Sequence, residues 1–153
     1  MSFVKRWLAH YDADVAPSIA PYPDRTLLDC LRDLARTDGN SPALLFKGAS
    51  VSYAALDRLS SAFGAALASL GVQPGNRVGL LLPNCPQFFI AEFGVWKAGG
   101  IVVPLNPIYS ERELEMALHA TGASLVVVLT PFYPHIKHIQ ARTDVTCVVA
   151  TSI

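Results

Sequence analysis

His135 and His138 stand three residues apart, a spacing at which two imidazoles on one helical turn could share a metal ion. No carboxylate lies near them in the sequence and no third ligand is in sight, so a structural role is favoured. Glu111, Glu113 and Glu115 crowd the first turns of another helix, where the partial positive charge of a helix N-terminus favours carboxylates over a catalytic pair. His119 falls at the far end of that helix, where a partly positive imidazole complements the dipole. A serine nucleophile is no better supported: there is no GxSxG elbow, and Ser60-Ser61 lies in mid-helix among small residues.

Phosphate chemistry leaves no signature either. The chain has neither GxxxxGK[ST] nor a GxGxxG after a strand, and Gly99-Gly100 sits between a helix and a strand, where a C-cap is expected. Asn84 and Asn106 are the polar residues best placed for binding, each directly after an apolar strand run, where open α/β sheets bind ligands. Capping and turn hydrogen bonds from an Asx side chain are the more ordinary role. Cys30, Cys85 and Cys147 are odd in number and widely separated, which fits three buried thiols in a reducing cytoplasm rather than a zinc site or a disulfide framework.

The elements that would position these residues follow from periodicity. Residues 1–24 carry Pro17, Pro21 and Pro23 without a sustained period and read as an irregular arm laid over something else. Thr26 and Asp29 begin a helix over about 27–37, and Ala43–Phe46 and Val51-Ser52 flank Lys47-Gly48-Ala49-Ser50 as a short hairpin. Leu56, Leu59, Phe63, Leu67 and Leu70 stripe a helix over about 53–70, with Ser52 as N-cap and Gly71 at the left-handed end. Small residues on its other faces predict packing on two sides.

From Val78 onward short apolar runs alternate with helical stretches. Val78–Leu82, Ile101–Leu105, Leu125–Leu129 and Val145–Ala150 read as strands; Pro86–Ala98, Ser110–Thr121 and residues 132–141 read as helices. Ser110 and Glu113 form a capping box, and Thr130-Pro131 reads as a cap with proline at the first helical position, Pro134 leaving open a start one turn later. Strands that are apolar without alternation are buried on both faces. The fold class is therefore α/β, a mostly parallel sheet of at least four strands flanked by helices, plus the hairpin. In the helix 86–98, Gln87, Glu92 and Lys97 fall at about 0°, 140° and 280° of a helical wheel, with Phe88, Phe89, Ile90, Phe93 and Trp96 between them. Such a helix is apolar all round, and 153 residues look too few to bury it.

Composition excludes several classes. With 52% hydrophobic residues and no net charge the chain is not disordered. Five bases face six acids over residues 1–40 and seven face six over residues 41–153, so no basic stripe exists and a nucleic-acid partner is not expected. The longest apolar stretch, Pro86–Leu105, is interrupted by Glu92, Lys97, a glycine pair and Pro104, and does not read as a membrane span. His10, Asp12 and Asp14 break the opening residues before a secretion signal could form.

Several runs carry a resemblance. Val51-Ser52-Tyr53-Ala54-Ala55-Leu56 resembles the first core motif of the adenylate-forming superfamily, and Trp96-Lys97-Ala98-Gly99-Gly100-Ile101-Val102-Val103-Pro104-Leu105-Asn106-Pro107 resembles the second. Gly71–Val78 and Leu82-Pro83-Asn84-Cys85-Pro86-Gln87 are similar to the family in the expected order, with Asn76 where the family usually has Asp. Trp7–Tyr11 and Val15-Ala16-Pro17, with the Pro-Asn-Cys-Pro-Gln run, most resemble bacterial long-chain fatty acid CoA ligases. The resemblance implies formation of an acyl-adenylate from a fatty acid and ATP, then displacement of AMP by CoA, with Mg2+ as the metal. In the family the phosphate loop, the Mg2+ carboxylate, the ribose acid and the catalytic lysine all lie later in the chain. Lys97 belongs to the second core motif, whose role is structural, so no catalytic, cofactor-binding or metal-ligating residue is assigned.

The expectation is thus an N-terminal piece of such a ligase, cut after its fourth strand and inactive alone, with the arm at 1–24 and a partial α/β subdomain at 25–153. A non-catalytic dimerisation or scaffold module of the same fold, an aryl or medium-chain acid CoA ligase, and a free-standing nucleotide-binding domain are the rivals. The resemblance also implies a homodimer through the N-terminal region, and peripheral membrane association is compatible with it. The charged fraction of 16%, below the ~25% of an ordinary soluble domain, would then mark surfaces that further residues or another copy cover.

Overall fold

The computed structural model describes residues 5–153. After a short 3-10 helix at Arg6–His10 come α1 (Leu27–Thr37), the hairpin strands β1 (Pro42–Phe46) and β2 (Ala49–Ser52), and α2 (Tyr53–Ser69). There follow β3 (Arg77–Leu81), α3 (Pro86–Lys97), β4 (Ile101–Pro104), α4 (Glu111–Thr121), β5 (Leu125–Leu129), α5 (Tyr133–Ile139) and β6 (Cys147–Thr151). The four later strands are all parallel, in the order β4-β3-β5-β6, while β1 and β2 form a separate antiparallel pair.

Local chemistry explains most boundaries. Capping boxes at Thr26/Asp29 and Ser110/Glu113 open α1 and α4. The Ser52 hydroxyl accepts from the Ala55 amide at 3.2 Å to open α2. At the end of α3 the Gly100 amide donates to Val95 and the Gly99 amide to Trp96, with Gly99 at φ 76, a Schellman closure that a Cβ would strain. The hydroxyl of Thr130 does not cap a helix. It donates 2.8 Å to the Thr151 carbonyl across the sheet, Thr130–Phe132 form a 3-10 turn, and α5 starts later with Pro134 in its first turn. The span 132–141 is accordingly three pieces, closing with a 3-10 turn at Gln140–Arg142. Strand β6 begins two residues later than the apolar run, because the Thr146 and Cys147 amides both turn to the Ser124 carbonyl.

The strand order places the core on two faces. From β3 the chain steps outward to β4, then crosses back over β3 to reach β5, and right-handed crossovers put the two sets of helices on opposite sides. One face packs Val78, Leu80, Leu82, Leu125 and Val127 against Leu67 of α2 and Ala91 and Val95 of α3. The other packs Leu81, Val126 and Val128 against Leu114 and Leu118 of α4 and Ile136 and Ile139 of α5. Both faces of β3 and β5 are dry, which is why their sequences do not alternate.

The arm is not laid over the described residues: among residues 5–26 every side chain is exposed except half-buried Leu8, with Trp7 at 56% and Ile19 at 82% exposure. Residues 1–4 of that arm lie outside the described residues. Its prolines supply no ladder donors. The apolar helix α3 is partly covered, as the length of the chain suggests: Ala91, Gly94 and Val95 are buried, while Phe88, Phe89, Ile90, Phe93 and Trp96 are only half-buried. Helix α2 lies on one side and the sheet on another, while α1 and the hairpin approach Phe89 and Phe93. The hairpin and α1, both earlier in the chain, supply part of that cover.

Candidate functional site

The carboxyl ends of the parallel strands gather the candidate polar residues. Because the connections leaving β3 and β5 pass to opposite faces, the switch in strand order lies between these neighbours, the place where such sheets hold ligands. Asn84 follows β3 there, exposed on the wall of a cleft of about 270 Å³ shared with Ala43–Phe46, Cys85, Pro86 and Phe89. Asn106 follows β4, one strand away from the switch, and its Oδ1 accepts the Ile108 amide at 3.1 Å, the ordinary Asx role. The fold therefore separates the two asparagines functionally: one closes a turn, one faces a cleft.

Two ties at this end were not legible in the sequence. Gln87 in the first turn of α3 donates from Nε2 to the Ser152 carbonyl at 2.8 Å, and Thr130 donates to Thr151. Together they bind the end of β6 to β5 and α3. The Gln87 Oε1 is buried without a partner.

The densest polar cluster lies elsewhere, between α2 and α3. The Lys97 ammonium, its side chain 9% exposed, donates to the Asp57 Oδ1 at 2.6 Å, the Asp57 carbonyl at 2.7 Å, Ser60 Oγ at 2.8 Å and Ser61 Oγ at 2.9 Å. Ser60, fully buried, and Ser61 also donate to carbonyls one turn earlier in α2. This geometry uses the lysine as a cross-link. An ammonium held by a carboxylate and three further oxygens has its donors committed, and neither serine faces a free base. Beneath it the helices touch backbone to backbone, since a Cβ on Gly64 would lie 2.9 Å from the Gly94 carbonyl oxygen.

On the opposite face of the sheet, Glu111 of α4 meets α5. His138 Nδ1 lies 2.8 Å and His135 Nδ1 3.5 Å from its Oε1. The carboxylate that the sequence placed nowhere near the histidines is thus supplied from 27 residues away. The hydrogen bond from His138 is the main reason Glu111 is held below the usual glutamate range. Glu113 is held low by the Ser110 hydroxyl, and Glu115 pairs with Arg142 at 3.0 Å. Partial burial on α3 raises Glu92. Among the described residues no group of three His, Cys, Asp or Glu side chains is placed to hold a metal ion, and no helix is long and apolar enough to cross a membrane.

The chain thus builds a parallel sheet wound to both faces and entered by a hairpin, and a family model described as AMP-binding enzyme matches residues 31–152. The chain belongs to the AMP-binding enzyme family. Within it, the chain is 38% identical over 96% of its length to the long-chain-fatty-acid–CoA ligase of Yersinia pestis, and 35% identical over all of its length to that of Bacillus subtilis. It spans about a quarter of the length of these curated relatives, 26% and 27%. Among solved structures it resembles an anthranilate CoA ligase bound to anthranoyl-AMP, with a TM-score of 0.79 and 26% identity, covering 83% of this chain and 25% of that one. The N-terminal domain of FACL13 from Mycobacterium tuberculosis superimposes with a TM-score of 0.77 and 26% identity, covering 83% of this chain and 34% of that one.

Proposed function

We propose that this chain forms the N-terminal part of an ATP-dependent, AMP-forming long-chain fatty acid CoA ligase, converting fatty acid, ATP and CoA to acyl-CoA, AMP and pyrophosphate. The observation that carries this reading is the 35–38% identity to long-chain ligases maintained over almost the entire chain. The residues present do not fit a nucleotide or Mg2+ site: the sequence has no glycine-rich phosphate loop, and among the described residues no group of three His, Cys, Asp or Glu side chains is placed to hold a metal ion. What these residues contribute is the rigid sheet and the α2–α3 cross-link on which a binding site is mounted.

Pyrophosphate exchange tests both halves of the proposal. The purified 153-residue chain is expected to show no palmitate-dependent exchange of labelled pyrophosphate into ATP, whereas a protein carrying this sequence at the length of its relatives should show it. Exchange by the short chain would overturn the assignment of the catalytic groups to other residues. Exchange by the longer protein with benzoate or anthranilate but not palmitate would favour the aryl-acid reading, which the likeness to the anthranilate ligase supports.

The division into an arm at 1–24 and a subdomain at 25–153 is part of the same reading, as is a homodimer in the cytoplasm formed through the arm. Its exposed Trp7, Tyr11, Val15, Ile19 and Tyr22 support contact with a second copy. Sedimentation velocity of the chain is expected to give a dimer that becomes a monomer when residues 1–24 are deleted. An unchanged sedimentation coefficient after correction for mass would remove the arm from the interface. Pelleting of the intact chain with anionic vesicles would instead place the arm on a membrane surface.

A further inference from the structure

Beside the polar cage of Lys97 opens a cleft of about 470 Å³, lined by Lys97 at the end of α3, by Asp57, Ser61, Ala65 and Ala68 along one face of α2, and by Arg32 of α1. Past Ser61 that face of α2 carries only small side chains, which leaves room above it. The charges around the cleft are unequally matched. Lys97 and Asp57 cancel within their 2.6 Å pair. Arg32 has no such partner: its guanidinium stays 3.8 Å from Asp29 Oδ1, too far for a hydrogen bond, and the other oxygen of Asp29 is spent on the Thr26 cap. The neighbouring Arg25 and Arg36 both donate to Asp33. Among the described residues Arg32 donates no side-chain hydrogen bond, so the cleft holds one uncompensated positive charge with a free fork of donors.

We propose that this cleft binds a small organic monocarboxylate, with its carboxylate on Arg32 and its carbon chain over Ala65 and Ala68. A guanidinium presents parallel N–H donors that match the two oxygens of a carboxylate, and it is more weakly hydrated than an ammonium. The walls of a cleft focus its field, whereas the charge of an arginine on an open face is screened by water and salt. The alanine side chains offer apolar surface to a short chain, and the volume lies in the range of small-molecule pockets. Asp57 sets the limit on ligand charge. It lines the same cleft, and its Oδ2 accepts no hydrogen bond among the described residues, so a second negative charge on the ligand meets repulsion. One carboxylate is thereby favoured over a phosphate dianion.

Titration of the intact chain with sodium butyrate at constant ionic strength, followed by amide NMR, tests this. Saturable shifts of the Gly64, Ala65, Ala68 and Ala98 amides are expected, with a dissociation constant on the order of 1–10 mM for so small a ligand. Arg32→Gln should weaken binding roughly tenfold through loss of the charge-assisted pair, with the rest of the spectrum reporting an intact fold. Arg36→Gln removes a guanidinium already engaged by Asp33 and should leave binding unchanged. Butyramide, which keeps the chain and lacks the charge, should bind more weakly than butyrate by a similar factor. Shifts that fail to saturate, equal binding of butyramide, tighter binding of inorganic phosphate, or full affinity in Arg32→Gln would each overturn the proposal.

Discussion

Replacing Lys97 with methionine should lower the unfolding free energy by about 3 kcal/mol, read by equilibrium urea unfolding. The side chain length is kept, so the loss belongs to the ammonium. Without it the Asp57 carboxylate, a third exposed, the fully buried Ser60 hydroxyl and the exposed Ser61 hydroxyl lose their common donor. The partial exposure of Asp57 places the cost at the low end of that for breaking a buried pair, since water can reach the orphaned charge. Asp57→Asn should cost less, about 1–2 kcal/mol, because an amide oxygen and the main-chain carbonyl still accept from the ammonium. The double variant should lose less than the sum of the two, the signature of a shared interaction. Lys97→Arg should not restore stability: a guanidinium fork is wider than the space left between helices that meet through glycine. A loss below about 1 kcal/mol for Lys97→Met would mean that the cage contributes no more than an exposed pair.

Gly64→Val is expected to cost about 3 kcal/mol or to prevent folding. The clash is with backbone, the Gly94 carbonyl oxygen at 2.9 Å from the new Cβ, and backbone cannot swing aside as a flexible side chain would. Opening the helices to relieve it would pull Lys97, whose Cβ is 3.4 Å from the same point, away from its oxygens. Gly64→Ala decides between competing effects. Helix propensity alone favours alanine over glycine by about 1 kcal/mol, so a raised melting temperature would show that propensity wins. The close approach predicts a lowered one. Loss of stability in both variants, greater for valine, is the expected thermal-unfolding result.

How much of this was readable without coordinates depended on distance along the chain. The capping boxes at Thr26 and Ser110, the Ser52 cap and the closure at Gly99-Gly100 each involve residues within six positions of one another. Their chemistry is complete in the local sequence. The core motifs were legible for the same reason: Trp96–Pro107 is a continuous run holding a helix end, a glycine turn and a strand. Thr130 misled because its neighbour Pro131 imitates a helix start, while its hydroxyl answers to a carbonyl 21 residues away. The histidine pair misled in a similar way, lacking a carboxylate in sequence and finding one in space.

The sequence alone therefore determined the elements, their parallel arrangement and the family, because apolar runs without alternation admit only strands covered on both faces. The order β4-β3-β5-β6 was settled by tertiary structure, and with it which helices share a face. That order set Asn84 rather than Asn106 beside the switch between β3 and β5, Asp57 against Lys97 across 40 residues, and Glu111 against His138 across 27. Such contacts follow from how crossovers stack and how closely two glycine-lined helices approach. Both are properties of packed layers, and neither is encoded in the spacing of any one segment.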